Sequence, residues 1–284
     1  MEYLRVAVGD AEYLAAVAGS GSPVLLLHGF PQTHYCWRDV VHALAERHLV
    51  VAADIRGYGE TSAPAGGPRG EGYSKREMGR DLFGLMETLE HPRFAAVGHD
   101  RGARVAYRMA LDRPDRVDRL AVLNVVPTVD QFERMGAGVS LAYWPWFLFA
   151  QQAPFPERLL SASAELVLRF AFDSWADRPE AIGADAFAAY AAVLDDATAA
   201  SMCADYRASF WLDRADDDAD RRAGRRIECP LLALAGAAET QLADAGDVWR
   251  RWAHDVRAGT VPGGHFIPEE APAQLAAALL EFLG

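Results

Sequence analysis

Lysine is almost missing from this chain of 284 residues: of its 28 basic residues only Lys75 is one, set against 40 acidic residues and a formal net charge of −12. We read the arginine excess as a compositional habit. The acidic balance argues against a nucleic-acid groove as the main business of the molecule. Cysteine is nearly as scarce. Cys36, Cys203 and Cys229 are odd in number and far apart, with no C-x-x-C pair. Neither a disulfide framework nor a zinc site is indicated, and free thiols in a reducing compartment are expected. Long apolar runs are missing too. The stretch from Leu141 to Ala150 is too short to span a bilayer and contains Pro145. Met1-Glu2-Tyr3-Leu4-Arg5 lacks a basic n-region and a long apolar h-region, so a soluble cytoplasmic protein with no membrane partner is expected. Glycine and proline, at 24 and 15 residues, are too few for a disordered or collagen-like chain. With 51% hydrophobic residues the chain can bury a full core.

What is present has a rhythm. Val24–Leu27, Leu49–Ala53, Phe94–Val97 and Leu120–Leu123 are continuous apolar runs bounded by turn residues, the pattern of buried strands. Helical periodicity fills the gaps, at about Trp37–Arg47, Lys75–Leu89 and Gly102–Leu111. Such alternation predicts a mostly parallel sheet with helices on both faces, an α/β fold. From 127 to 215 the pattern changes to an Ala- and aromatic-rich helical stretch without clear strands. Strand and helix then resume with Leu231–Ala235, Asp247–His254, Val256–Val261 and Glu269–Leu283. The expected organisation is a core over 1–126, a helical cap over 127–215, and the rest of the core over 216–284. The run Asp213–Arg226 reads as a solvated connector without the glycine or spacing of a calcium loop.

Three short segments carry chemistry. Gly98-His99-Asp100-Arg101-Gly102 follows a strand and opens a helix. Small residues two positions either side allow a sharp turn that lifts the central side chain above the sheet. That side chain is Asp100, and a carboxylate attacks an electrophilic carbon without prior deprotonation. His28-Gly29-Phe30-Pro31 ends an earlier strand, where a backbone N–H can join an oxyanion hole. The donors by position are the amides of Phe30 and Arg101. Gly263-Gly264-His265-Phe266 lies between the last strand and the last helix, giving a nucleophile-then-histidine order. His265 is poised near neutral pH to activate water against an aspartyl ester.

Together these residues resemble the α/β-hydrolase superfamily, and within it the fluoroacetate and haloacetate dehalogenases. Epoxide hydrolases and haloalkane dehalogenases share the Asp nucleophile but typically place Trp directly after it. Here Arg101 follows, with Arg104 a turn later. Two cations at a helix start oppose its dipole, so they need acidic partners or a ligand. The resemblance implies a clamp for a substrate carboxylate. It also implies that Trp146 and Tyr206 donate hydrogen bonds to a departing halide, and that His28 and Trp175 line the pocket.

Two positions depart from that family. Pro145 stands where a histidine usually completes a three-donor fluoride site, which weakens C–F cleavage more than C–Cl or C–Br. Asn124 stands where the carboxylate partner of His265 belongs, and an amide orients an imidazole without stabilising the imidazolium. Other superfamily members take the acid from the next strand; Gly236-Ala237-Ala238-Glu239 makes Glu239 the first choice, with Asp244 behind it. The reading is a cofactor-free, metal-free hydrolytic dehalogenase of a small 2-haloacid, forming an aspartyl ester, with homodimerisation implied. The rivals are an epoxide hydrolase with two lid tyrosines, where Tyr206 is one and Tyr143 is left out for uncertain register, and a non-enzymatic carboxylate binder.

Overall fold

In the computed structural model, which describes residues 1–284, the chain opens with an antiparallel hairpin. Its strands are β1 (Glu2–Val8) and β2 (Ala11–Gly19), turned at Gly9, whose φ of 60° a side chain would resist. The apolar runs then become β3 (Ser22–Leu27), β4 (His48–Ala53), β5 (Phe94–His99), β6 (Val117–Leu123) and β7 (Leu231–Gly236), and the more polar, mostly exposed Val256–Val261 becomes β8. The sheet order is β1-β2-β4-β3-β5-β6-β7-β8, parallel from β4 onward. Leu25, Leu26 and Leu27 are wholly buried because β3 is paired on both edges and covered on both faces.

Helices α1 (Arg38–Leu44), α2 (Lys75–Thr88) and α3 (Arg101–Asp112) belong to the core, with α3 packed on β3, β5 and β6. Eight helices separate β6 from β7. They are α4 (Thr128–Glu133), α5 (Ala137–Ala142), α6 (Pro145–Leu148), α7 (Phe155–Ala162), α8 (Ala164–Trp175), α9 (Ala184–Ala192), α10 (Asp196–Ala208) and α11 (Arg214–Arg222). The core closes with α12 (Ala245–Trp252), α13 (Ile267–Glu270) and α14 (Pro272–Leu283). No helix is long and apolar enough to cross a membrane.

The expected solvated connector is a correction. A π-helical turn over Ser209–Asp213 joins α10 to α11, so the helical run passes position 215 and reaches Arg222. Asp213, Asp217 and Asp220 are buried. Asp213 accepts from the Lys75 backbone N–H and the Ser209 hydroxyl, each at 2.8 Å. For Asp217 and Asp220 the reason is Arg108, an almost fully buried arginine on α3 that needs anions. Its Nη2 sits 2.7 Å from Asp217 Oδ1, and its Nη1 pairs with Asp220. Asp217 also accepts from the Tyr107 hydroxyl at 2.8 Å and the Val129 amide at 3.2 Å. Burial raises its pKa to about 6, against the pull of Arg108.

Removing one partner of a buried ion pair strands the other charge, so Asp217→Ala should lower the unfolding free energy by about 3 kcal/mol or more. Asp218→Ala, whose partners Arg221 and Arg222 are solvent-exposed, should change it by about 0.5 kcal/mol or less. Urea titration of the two variants checks the contrast.

Candidate active site

Five parallel strands in a row deliver a site residue at their carboxyl ends, where open α/β sheets bind ligands. β3 leads to Phe30, β5 to Asp100, β6 to Asn124, β7 to Glu239 and β8 to His265. Asp100 is held at φ 46°, ψ −115°. That conformation is strained for any residue with a Cβ, and the packing around it enforces it. A side chain at Gly98 would strike the backbone of Ala103, and one at Gly102 the carbonyls of Leu27 and His28. The Phe30 N–H donates to Asp100 Oδ2 at 3.0 Å. Gly29 lets this approach happen: its missing Cβ would lie 2.6 Å from the same oxygen and 2.8 Å from the Arg101 amide nitrogen. Burial would raise the Asp100 pKa, but His265, Arg101, His99 and Arg104 together hold it below the ordinary value.

His265 Nδ1 lies 3.1 Å from Glu239 Oε1. The other Glu239 oxygen accepts from Asn124 Nδ2, which also donates to the Gly264 carbonyl at 3.1 Å. The residue at the departed acid position therefore bonds the carboxylate that reaches the imidazole. Asp244 does not take part; it faces Arg134 at 3.0 Å. Burial favours neutral His265, yet the charge and hydrogen bond of Glu239, with Asp100 adding, raise its pKa above the ordinary value. His99 donates Nε2–H to the His265 carbonyl at 2.7 Å and is kept neutral, its pKa pushed to about 3 by burial and then by His265.

The two arginines of the expected clamp have different partners. Arg101 Nε and Nη2 each reach a carboxylate oxygen of Asp205 at 2.8 Å, and Nη2 also reaches Ser209 Oγ at 2.6 Å. Only Nη1 lacks a partner. Asp205 is shared with Lys75, the lone lysine, and with the Tyr58 hydroxyl at 2.8 Å. Burial opposes its charge, but Arg101 and Lys75 hold its pKa well below the carboxylate range. Arg104 has no carboxylate at all. Its Nη1 donates to the Val126 carbonyl at 3.0 Å and to Thr128 Oγ1 at 3.2 Å, and its buried Nε donates to nothing. Burial pushes its pKa below the usual arginine value.

Above these groups lies a cavity of about 310 Å³, lined by Asp100, Glu239 and His265 from the core and by Tyr143, Pro145, Trp146, Trp175 and Tyr206 from the cap. The Trp146 indole N–H and the Tyr206 hydroxyl make no hydrogen bond within the protein. Guanidinium groups lie over both rings: Arg101 is 4.1 Å from the Tyr206 centroid and Arg104 4.5 Å from that of Trp146. Trp175 lines the wall, but its N–H is spent on the Ala142 carbonyl at 2.9 Å. His28 is a second correction. It lies wholly under the cavity floor, accepting the Ile55 N–H on Nε2 and donating Nδ1–H to the Gly29 carbonyl, both at 3.1 Å. It braces the loop that carries Phe30 and does not line the cavity.

Sequence reasoning passed over three residues here. Tyr143 reaches the cavity with a buried hydroxyl that has no hydrogen-bond partner; burial and then Glu239 raise its pKa. Its α5–α6 turn defeats a periodicity argument. Gln241 lies 3.4 Å from Glu239 Oε1 and carried no signal. Asp205 sits next to Tyr206 in sequence, where an acid before a lid aromatic could have flagged a partner for Arg101.

Fold, elbow and histidine loop define the class: the chain belongs to the α/β hydrolase family, whose fold model matches residues 22–272, and it is a hydrolase. It is 40% identical to a fluoroacetate dehalogenase from Burkholderia sp over 98% of this chain and 92% of that protein. It is 32% identical to a soluble epoxide hydrolase from Corynebacterium sp. (strain C12), covering 90% and 87%. Among solved structures it resembles a candidate α/β hydrolase from Nostoc sp PCC 7120, with TM-score 0.96, 39% identity and 99% and 97% coverage. A candidate epoxide hydrolase from Pseudomonas aeruginosa matches with TM-score 0.92, 40% identity and 99% and 95% coverage.

A histidine whose folded pKa is raised stays protonated further up the pH scale, so neutral His265 is lost as pH falls through that raised value. Glu239→Gln removes the charge that raises it. The imidazole titration of His265, followed by NMR, should move to lower pH in this variant; an unmoved titration would contradict the electrostatic coupling.

Proposed function

We propose that this chain hydrolyses small 2-haloacids to 2-hydroxy acids through an ester on Asp100. The observation that carries the reading is Arg104, a buried cation with no carboxylate of its own beside the Asp100 carboxylate. A guanidinium stripped of water and counter-ion favours an anionic substrate. Arg104, with the free Nη1 of Arg101, receives the substrate carboxylate. Phe30 holds Oδ2, leaving Asp100 Oδ1 to form the new C–O bond as halide departs with the bonding pair toward Trp146 and Tyr206. Water then loses a proton to His265 and adds to the Asp100 carboxyl carbon. The amides of Phe30 and Arg101 stabilise the oxyanion; as it collapses, the acyl C–O bond breaks and the His265 imidazolium returns its proton to the departing alkoxide oxygen, freeing the 2-hydroxy acid. Glu239 stabilises the imidazolium of His265, with Asn124 steadying Glu239. The Burkholderia relative is named for fluoroacetate; Pro145 favours chloride and bromide over fluoride here.

A second reading has its own observation. Tyr143 and Tyr206 both line the cavity without protein hydrogen bonds, the pair of phenols that epoxide opening uses. Soluble cytoplasmic action as a homodimer completes the proposal. Exposed Leu141, Phe155, Leu166 and Phe170 on the cap support self-association.

Halide release from fluoroacetate, chloroacetate and bromoacetate tests the first reading, with Asp100→Asn as the blank. Steady release lost in the blank is expected; no release, with turnover of an epoxide, would replace it with the second. Arg104→Lys should raise KM for chloroacetate by roughly 10–100-fold, since the forked charge-assisted bonds are lost. It should leave an uncharged epoxide little affected. Tyr206→Phe should do the reverse, nearly abolishing epoxide opening and only slowing an activated halide.

A further inference from the structure

We propose that Glu270 is a positioning residue that locks the cap segment 174–178 to the loop bearing His265, and thereby sets the rate of ester hydrolysis. The kinetic half of this rests on the Asp100–His265 reading above; the structural half does not.

Glu270 is buried, on α13, five residues beyond His265. Its carboxylate accepts four main-chain N–H groups. Oε2 takes those of Asp177 at 2.8 Å, Arg178 at 3.0 Å and Gly264 at 3.0 Å, and Oε1 takes that of Phe266 at 2.9 Å. No cation pairs with it, because the Arg178 guanidinium goes to the Glu270 backbone carbonyl instead. A buried carboxylate without a counter-ion persists only where donors replace its water, and here every donor is backbone. Those donors come from two separate stretches: two from the end of the cap strap, and two from either side of His265.

The same stretches are joined again next door. The His265 N–H donates to the Trp175 carbonyl at 2.9 Å, and the Trp175 and His265 rings meet edge to face at 5.5 Å. Gly264 has no room for a side chain, since a Cβ would lie 2.5 Å from the Asp177 nitrogen and 2.6 Å from the Trp175 carbonyl oxygen. Ser174, Trp175, Ala176 and Asp177 line the same cavity as Asp100. The Glu270 carboxylate thus fixes one wall and the imidazole as a unit. Neutral side chains cannot substitute: Gln offers one acceptor oxygen and turns an amide donor toward N–H groups that need acceptors.

The two chemical steps use this unit unequally. Attack by Asp100 on carbon needs no imidazole, whereas water addition needs His265 Nε2 aligned on the ester carbon. Small displacements of a catalytic group cost orders of magnitude in rate. Glu270 variants should therefore separate the steps.

The test mixes wild type, Glu270→Gln and Glu270→Ala with excess chloroacetate. It follows the first-turnover halide burst and the decay of the ester adduct by intact-protein mass. In parallel, hydrogen exchange is measured in peptides covering 174–178, 263–266 and α14 without any substrate. The expected result is a burst rate within about twofold of wild type and ester decay slowed roughly 10–100-fold. Exchange should rise in both 174–178 and 263–266 in Glu270→Ala, and around Phe266 in Glu270→Gln, while α14 keeps its protection. Equal slowing of burst and decay would mean a general structural role and overturn the proposal, as would wild-type ester decay. Exchange that rises in one segment alone in Glu270→Ala also overturns it. If wild type releases no halide, the substrate reading fails, and the exchange measurement alone decides for or against the lock. Should Glu270→Ala not fold, the near-isosteric Glu270→Gln carries the test through its Phe266 exchange and ester decay.

Discussion

A backbone held at φ 46° at one residue is the constraint on which the site depends, because it sets the Asp100 carboxylate above the sheet with one oxygen on the Phe30 amide. Strain of this kind persists only where surrounding structure over-determines it. Three glycines supply that surrounding, each at a place where a methyl group would strike backbone or the carboxylate itself. Because α3 must begin one residue later, the elbow also dictates where Arg101 and Arg104 point. The placements of the Asp100 carboxylate, the Phe30 and Arg101 amides and the two cations are therefore consequences of a single turn.

The charges around that turn follow a division of labour. Arg101 is neutralised by Asp205, which also takes Lys75 and Tyr58, so cap helix α10 is tied to the core by a buried ionic hub. Arg104 is left over. The hub fixes Tyr206, the neighbour of Asp205, while the remaining cation lies against the Trp146 ring, 4.5 Å from its centroid. His265 and Glu239 close the opposite side, and Asn124 turns a missing acid into a hydrogen-bond donor for the acid that is present. The apolar wall of Trp146, Trp175 and Pro145 keeps these interactions in a poorly solvated space, where each is stronger than in water.

Much of the fold was legible because apolar runs and glycine spacing are local signals. The five strands with continuous apolar character, β3 to β7, and the elbow at Asp100 could be read directly from them. The β1–β2 hairpin was missed because Ala-rich β2 has no strong alternation, although Gly9-Asp10 marks its turn. The Asp213–Arg226 segment looked solvated because its charges were judged one by one. The burial of Asp217 and Asp220 follows from Arg108, more than a hundred residues away, and no local pattern carries that. The arginine pair shows the same limit: dipole reasoning required partners, but only three-dimensional packing gives one arginine an aspartate and leaves the other without. Tyr143 and Glu270 act through turns and main-chain amides, which side-chain periodicity does not encode.

The central claim is that Asp100 is the atom donor in a covalent ester, whichever electrophile proves to be the substrate. A single turnover with excess enzyme in ¹⁸O-labelled water tests it most directly, followed by peptide mass analysis across Asp100 and mass analysis of the product. The account predicts that the label enters the Asp100 carboxylate and that the first product carries an unlabelled oxygen. Label found in the first product, with none in the peptide, would mean that water attacks the substrate directly and would contradict the account.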